Sequence, residues 1–225
     1  PTDKTSARFN PLMEVRKGDR EVSDVQNIAD ILVDPEGVLE QRNHWEKTAH
    51  SLLVGVILHI LYADSEKTLA RAASFLSDPD RSFRATLAIM MHTNHVGTDD
   101  APCTHPVVAQ CARELMNKSE NELSGVLSTA MSFLSLYRDP VIAEVTSQCD
   151  FRIRDLVEGT RALSLFLVVP PSDLSRTKPL IRLLLNQIGR RLMEHEGGSD
   201  RRRVLFLLDE FPALGRLEFF ESALA

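Results

Sequence analysis

Two short apolar runs near the end of the chain constrain its fold most strongly. Residues 162–169 (ALSLFLVV) and 204–208 (VLFLL) contain no charged residue, which is typical of strands buried on both faces of a sheet. The residues between them, 175–196, have the apolar spacing of an amphipathic helix. A strand, a helix and a second strand without a tight turn between the strands form the βαβ unit of a parallel sheet. The sequence therefore predicts an α/β portion at this end.

Most of the chain before this unit has the pattern of helices. Residues 44–150 are interrupted only by short breaks that contain proline or glycine. Residues 52–62 are apolar nearly all the way round, which predicts a central helix surrounded by its neighbours. Ser119 with Glu122, and earlier Ser23 with Gln26, have the spacing of capping boxes at helix starts. Together these features predict an all-α bundle of about five to seven helices.

Composition limits the partners of such a chain. The 26 basic and 32 acidic residues give a net charge of −6, so the whole chain lacks the broad positive field of a general nucleic-acid-binding protein. The three cysteines, which lie in apolar helical segments, predict reduced thiols and no disulfide framework. No apolar run approaches the roughly 20 residues that span a bilayer, and the polar residues 1–8 are not followed by the apolar core of a signal peptide. Because it begins with Pro1 and ends at Ala225, we expect it to be an internal part of a longer protein.

The candidate chemistry lies directly after the second apolar run. Asp209 and Glu210 follow VLFLL, and the carboxyl ends of parallel strands are where such sheets bind ligands. ATPases place a Walker B pair there, in which the aspartate orients Mg²⁺ through its water shell and the glutamate polarises the attacking water. The alternative is that an acidic pair merely ends a strand and caps the segment that follows.

Several segments resemble the TraG-type coupling proteins of conjugation and type IV secretion. The resemblance covers most of the chain and is carried by RFNPL (8–12), DVQNIADILVDPEG (24–37), SGVLSTAMSFLSLYRDP (124–140), VVPPSDLSRTKPLIRLLLNQIGRRL (168–192) and LFLLDEFPALGRLEFFESALA (205–225).

That resemblance implies a fold and a division of the chain. The fold would be part of a RecA-like P-loop NTPase with a parallel sheet and an inserted all-α helical-bundle domain. Residues 1–40 would be the first segment of the nucleotide-binding domain, residues 41–150 the inserted all-α domain, and residues 151–225 the part of the nucleotide-binding domain that carries Walker B. Asp209 would direct Mg²⁺ and contact the nucleotide, and Glu210 would be the catalytic carboxylate.

The resemblance also implies a function for the full-length protein. It would be a homo-hexameric coupling ATPase at the cytoplasmic face of the bacterial inner membrane, anchored through N-terminal helices outside this chain. It would recruit relaxase, relaxosome proteins and DNA, and would use ATP hydrolysis to drive transfer through a type IV secretion channel. The acidic balance favours a basic relaxase or accessory protein over bare DNA as the partner of the bundle.

One half of the nucleotide site is missing from the sequence. No G-x-x-x-x-G-K-[ST] motif occurs, so the backbone amides and the lysine that cradle phosphates are absent. We therefore expect ATP and Mg²⁺ to bind the full-length protein but not these 225 residues alone, and whether they act as an enzyme is left open. The alternative function is a non-enzymatic adaptor domain that docks substrate.

Four further features have a functional and a structural interpretation. Arg176 or Lys178 would reach a nucleotide or a neighbouring subunit, but a capped strand-to-helix loop is the favoured interpretation. Residues 201–203, with Arg190 and Arg191, would touch DNA phosphates in a channel, although basic turns are usually just solvated. The third feature is a group of possible zinc ligands whose spacing matches no familiar finger: His92, His95, Cys103 and His105. The fourth is Trp45, an aromatic residue that we expect in the core.

Overall fold

The fold is built mainly from helices. The computed structural model describes residues 1–35, 41–158, 161–194, 202–209, 211–217 and 220. The α-helices within these residues are α1 (Glu21–Val33), α2 (His44–Ala63), α3 (Leu69–Leu76), α4 (Phe83–His92), α5 (Pro106–Met116), α6 (Glu120–Phe133), α7 (Pro140–Val145), α8 (Asp155–Glu158) and α9 (Leu174–Met193). Short 3-10 helices occupy Pro11–Glu14, Ser135–Arg138, Pro171–Asp173 and Phe211–Leu214.

Helix α2 is the centre of the bundle. It packs against α1, α3, α5 and α6, and its residues from Leu52 to Leu61 are all buried, as the all-round apolar pattern predicts. Gly55 lets α5 approach closely, because a Cβ added there would lie 2.6 Å from the sulfur of Cys111. The thiol of Cys111 donates to the Ser51 carbonyl over 3.2 Å. The prediction of a central, enclosed helix is confirmed.

The two predicted capping boxes have different outcomes. Ser119 accepts a hydrogen bond from the Glu122 amide over 3.3 Å and caps α6, which is the N-cap half of the predicted box. The box of Ser23 and Gln26 is wrong, because α1 begins at Glu21 and Ser23 donates instead to the Arg20 carbonyl. The start of α1 is held from the preceding turn, where the Gly18 amide donates to the Glu21 carboxylate over 2.9 Å.

The chain enters and leaves the bundle at one joint. The Phe9 amide donates to the Val145 carbonyl, and the Asp150 amide donates to the Arg8 carbonyl, each over 2.9 Å. The Arg8 guanidinium also pairs with the Asp150 carboxylate at 2.9 Å. Buried Asn10 donates to the carbonyls of Lys67 and Ser147 and accepts from the Leu12 amide. Residues far apart in sequence are thus held together on either side of the helices α1 to α7.

The two predicted strands alternate in burial like extended chain, but among the described residues they pair with no other strand. Residues 162–170 and 202–208 have no regular secondary structure, and within the described parts of the chain no strand is assigned. Their side chains alternate: Leu165, Leu167 and Phe206 pack against the core, whereas Phe166 and Leu207 are 81% and 85% exposed. The expectation of burial on both faces is therefore wrong for this structure, because only one side of each segment meets the core.

Helix α9 lies beneath both extended segments and continues the core. Leu180, Ile181, Leu183 and Leu185 belong to the same buried cluster as α1 and α2. Leu184 and Ile188 join a second cluster with Phe9 and Ile153. The fold prediction is confirmed for its helical part only, since no parallel sheet forms among the described residues, and the boundaries at 40 and 150 remain predictions. Every helix in the described residues is too short or too polar to span a bilayer.

Candidate functional site

Asp209 stands at an exposed turn between two anchored stretches of chain. Three residues before it, Phe206 is partly buried and meets the Phe220 ring edge-on with centroids 5.9 Å apart. After it, the chain turns through the 3-10 helix Phe211–Leu214, and Leu214 and Leu217 are buried in the main core. The carboxylate is thus exposed while the chain on both sides is fixed.

The segment after Asp209 is held by a buried arginine of α9. Nη1 of Arg182 donates to the carbonyls of Leu214 over 2.8 Å and of Arg216 over 2.7 Å. Nη2 donates to the Asp34 carbonyl over 3.3 Å and lies 3.9 Å from an Asp34 carboxylate oxygen. The guanidinium therefore joins α9, the end of α1 and the segment that follows Asp209.

The fit of Mg²⁺ and ATP to these residues is partial. An exposed carboxylate suits a hydrated Mg²⁺, which keeps several waters and uses few protein ligands. No group of three or more His, Cys, Asp or Glu side chains within the described residues is arranged to hold a metal, so phosphate oxygens and water would have to complete the coordination. Glu210, the predicted catalytic residue, lies outside the described residues.

The basic residues near α9 are engaged in structural contacts. Arg176 binds Asp139 at 2.6 Å and Asp173 at 3.2 Å, which favours the structural interpretation of this loop. Arg191 donates to the Glu14 carbonyl over 2.6 Å and lies 3.6 Å from the Glu194 carboxylate. Arg190 is exposed and donates to the side chain of Asn186.

Two more basic residues, Arg202 and Arg203, are exposed, and Arg201 lies outside the described residues. Lys178 lies in α9, in the turn that follows Arg176.

Three histidines form a buried hydrogen-bonded chain inside the bundle. Nε2 of His95 lies 2.8 Å from Nδ1 of His59, and Nδ1 of His95 accepts from the His105 amide over 3.2 Å. Nε2 of His105 lies 2.9 Å from the Glu21 carboxylate, and the Tyr62 hydroxyl donates to the same carboxylate over 2.5 Å. Because amide donors fix Nδ1 of His95 and of His105 as acceptors, Nε2 is the donor in each ring.

Burial and hydrogen bonds together set the pKa values of the groups in this histidine chain. Burial lowers the pKa of His59 to about 4, with a smaller contribution from neighbouring His95. The pKa of His95 is also lowered, chiefly by burial and then by His105. Burial would raise the pKa of Glu21, but hydrogen bonds from Tyr62, Gly18 and His105 outweigh it and lower the pKa below its usual range. His59 and His95 are therefore held neutral beside an ionised glutamate.

Among the four possible zinc ligands, His95 and His105 are buried next to each other, and the His95 amide donates to the Cys103 carbonyl over 2.9 Å. His92 and Cys103 are exposed, and Cys103 donates weakly to the Thr104 carbonyl. The expectation for Trp45 is wrong: it is 42% exposed, and its ring lies over Gly125, where a Cβ would be 2.6 Å from the indole. Packing against a glycine covers one side of the ring and leaves the other in solvent.

Sequence reasoning missed Arg182 and the partnership of His59 with His95. One signal for Arg182 was present, since a single charged residue interrupts the apolar stretch from Leu180 to Leu185. A charge on the buried side of a helix needs partners. His59 gave a similar signal, since it interrupts the apolar stretch of residues 52–62, but its partner His95 lies on a different element and could not be read from the sequence.

Comparison with known proteins agrees with the segment resemblance. The family model described as type IV secretory system conjugative DNA transfer matches residues 1–225. Conjugal transfer protein TraG of Escherichia coli is 45% identical over 98% of this chain and 36% of the relative, and a second E. coli TraG is 42% identical over 96% of this chain and 35% of the relative. Protein VirD4 of Agrobacterium fabrum is 42% identical over 40% of this chain and 14% of the relative.

The chain spans about a third of the length of the TraG relatives it matches. The match to the family model is nevertheless complete along the chain. The chain belongs to the type IV secretory system conjugative DNA transfer family.

Proposed function

We propose that these residues are the central part of a coupling ATPase that drives conjugative DNA transfer, and that Asp209 belongs to its nucleotide site. The family match over the whole chain supports the role in transfer. The observation that carries the site is the exposed carboxylate of Asp209 at the end of an apolar extended segment, with Phe206 and Leu214 anchored on either side.

In the full-length protein, residues 162–169 and 202–208 would be strands of a RecA-like parallel sheet. The alternation of inward and outward side chains has the period of a strand. Helix α9 is a crossover of the length that joins parallel strands. The outward row, which includes Phe166 and Leu207, is apolar, as the second face of a covered parallel sheet is.

These 225 residues would supply only the Walker B part of the nucleotide site. Bound Mg²⁺ would supply the charge that neutralises developing phosphate charge. Asp209 would orient that ion through its water shell, and Glu210 would polarise the attacking water. The phosphate cradle would come from a Walker A segment of the full-length protein, which these residues do not contain.

The all-α domain would be the part that meets the transferred substrate. Its exposed acidic residues Glu66, Asp80, Asp99, Asp100 and Glu120 favour a basic protein such as relaxase over bare DNA. Homo-hexamer formation, contact with DNA and the secretion channel, and anchoring at the cytoplasmic face of the inner membrane belong to the full-length assembly in this proposal.

The test is ATP hydrolysis by the full-length protein. We expect Asp209→Asn and Glu210→Gln each to lower kcat by about a hundredfold or more, because each removes a group used in the chemical step. Glu114→Gln, an exposed carboxylate of α5, is the matched control and should keep wild-type kcat. Wild-type activity in all three variants would refute the proposal.

The second candidate, a substrate-docking adaptor, is favoured by the acidic surface of the bundle. It predicts capture of a purified relaxase by these 225 residues, with binding that weakens as salt rises. Equally tight binding to naked DNA would contradict it. Capture of relaxase together with loss of hydrolysis in the Asp209 variant would assign docking and catalysis to different parts of one protein.

A further inference from the structure

Arg182 has an unusual position for a charged side chain. It lies in the middle of α9, is 2% exposed and is surrounded in sequence by buried Ile181 and Leu183. Arginine is almost never fully buried unless it is paired. Its partners therefore indicate why a charge is kept in the core.

On one side, Arg182 holds the segment that follows Asp209. One nitrogen, Nη1, donates to both the Leu214 and the Arg216 carbonyls. Gly215, between them, has φ of 71°, a left-handed conformation that glycine adopts without steric cost. That conformation brings carbonyls on both sides of Gly215 to the same nitrogen, five and seven residues after Asp209.

On the other side, Arg182 holds the end of α1. Nη2 donates to the carbonyl of Asp34, the residue that ends the helix, and lies 3.9 Å from its carboxylate. Helix α1 packs along α2, the central helix of the bundle. A displacement of the bundle that moves α1 would therefore also displace the guanidinium of Arg182.

On the basis of the function proposed above, we infer that Arg182 is a positioning residue that fixes the chain after Asp209 and couples the nucleotide site to the helical bundle. It contacts neither nucleotide nor metal in this role. It acts through the backbone of residues 214–216, whose position sets where the Asp209 turn is held. Substrate bound to the bundle would in this way be linked to hydrolysis.

A guanidinium suits this role and an ammonium does not. Arginine presents several donors in a rigid plane, so one side chain serves acceptors from two segments at once. Lysine has a single nitrogen and would satisfy one side. Methionine would fill the space but leave the Leu214 and Arg216 carbonyls without this donor.

Arg191 provides a matched control on the same helix. It also ties α9 to distant parts of the chain, through the Glu14 carbonyl and the Asp24 carboxylate, and it pairs with Glu194 at the end of its own helix. Each of these three partners lies before Asp209 in the chain. Arg191→Met should therefore weaken the fold without moving the Asp209 turn, which separates positioning from general stability.

The experiment uses the full-length protein with four variants: Arg182→Lys, Arg182→Met, Gly215→Ala and Arg191→Met. Steady-state ATP hydrolysis is measured at a temperature well below every Tm. We expect both Arg182 variants and Gly215→Ala to lower kcat by about tenfold or more while KM for ATP changes by less than about twofold, the pattern of a misplaced catalytic group. Arg191→Met should stay within about twofold of wild type in kcat.

Hydrogen exchange of residues 204–217 without nucleotide is the second readout. Exchange there should rise in the Arg182 and Gly215 variants and stay at the wild-type rate in Arg191→Met. Unchanged kcat in Arg182→Lys, or an equal loss in Arg191→Met, would overturn the inference.

Failure of the proposed function gives a different pattern. If the wild-type protein hydrolyses no ATP, or Asp209→Asn hydrolyses it normally, the proposed nucleotide site is wrong. The positioning role of Arg182 is then judged by hydrogen exchange alone. Faster hydrogen exchange at residues 204–217 only in the Arg182 and Gly215 variants supports that role, and unchanged exchange refutes it.

Discussion

At the scale of single residues, buried His59 and His95 make the fold sensitive to acid. His59, His95 and His105 each present Nδ1 to an N–H donor. A proton added to any of these nitrogens would face that donor and break the hydrogen bond. Charged groups on neighbouring elements, Asp64, Arg71 and Arg81, also act on His59, but burial remains the main cause of its low pKa.

We expect the protein to lose stability as the pH falls from about 6.5 towards 4. The pKa of folded His59, about 4, is below its ordinary value of 6.5, so the unfolded chain binds the extra proton first and is favoured. His59→Asn keeps an acceptor towards His95 without a group that titrates here. Its Tm should fall less than that of the wild type between pH 7 and pH 5, measured by circular dichroism.

Exposed His92, on α4, supplies the control. His92→Asn should follow the wild-type dependence on pH. If His59→Asn follows it as well, the buried chain does not cause the acid sensitivity.

At the scale of elements, packing decided more than local sequence. The all-round apolar pattern was enough to predict α2 as the central helix, because such a helix has no polar side to expose. The first turn of α1 was not predictable from Ser23 and Gln26, since Glu21 is held there by the distant side chains of Tyr62 and His105. Tertiary contacts outweighed the local capping signal.

The extended segments also show that local sequence alone does not decide secondary structure. Their composition predicted strands, but pairing needs a neighbouring backbone, and the described residues place side chains of α9 beside them instead. In the candidate site, Asp209 was predicted from its motif alone and stays a prediction, whereas Arg182 was recognised only once its partners on α1 and after Asp209 were visible. A motif can be read from the sequence, but the contacts that support it depend on the fold.

The contact between α2 and α5 gives a test at this scale. Gly55→Ala should lower the free energy of unfolding by about 1–3 kcal/mol, because the new methyl would overlap the Cys111 sulfur in a closely packed core. Chemical denaturation measures the loss. Cys111→Ala removes the sulfur, so the double variant should recover part of the loss caused by Gly55→Ala. Strictly additive losses would show that the two residues do not compete for space.

At the scale of the whole molecule, the joint between residues 8–10 and 145–150 organises the fold. It combines two backbone hydrogen bonds, the Arg8–Asp150 ion pair and the buried amide of Asn10. Surface ion pairs contribute little, so Asn10, which serves backbone groups on three segments, should matter most.

Asn10→Ala should destabilise the protein by about 2–3 kcal/mol, because two carbonyls and one amide lose a buried partner. Denaturant titration gives the free energy, and hydrogen exchange should become faster at residues 147–150. Asn121→Ala, at an exposed position of α6, is the control and should change neither. A loss no larger than the control's would show that the joint depends on its ion pair instead.

The closeness of the two chain crossings at this joint also bears on how the family diversifies. A segment whose first and last residues are neighbours can be replaced as a block, since its exchange leaves the backbone on the other side in place. Exchange of the residues between 10 and 147 among relatives would therefore rejoin the chain without stretching either connection.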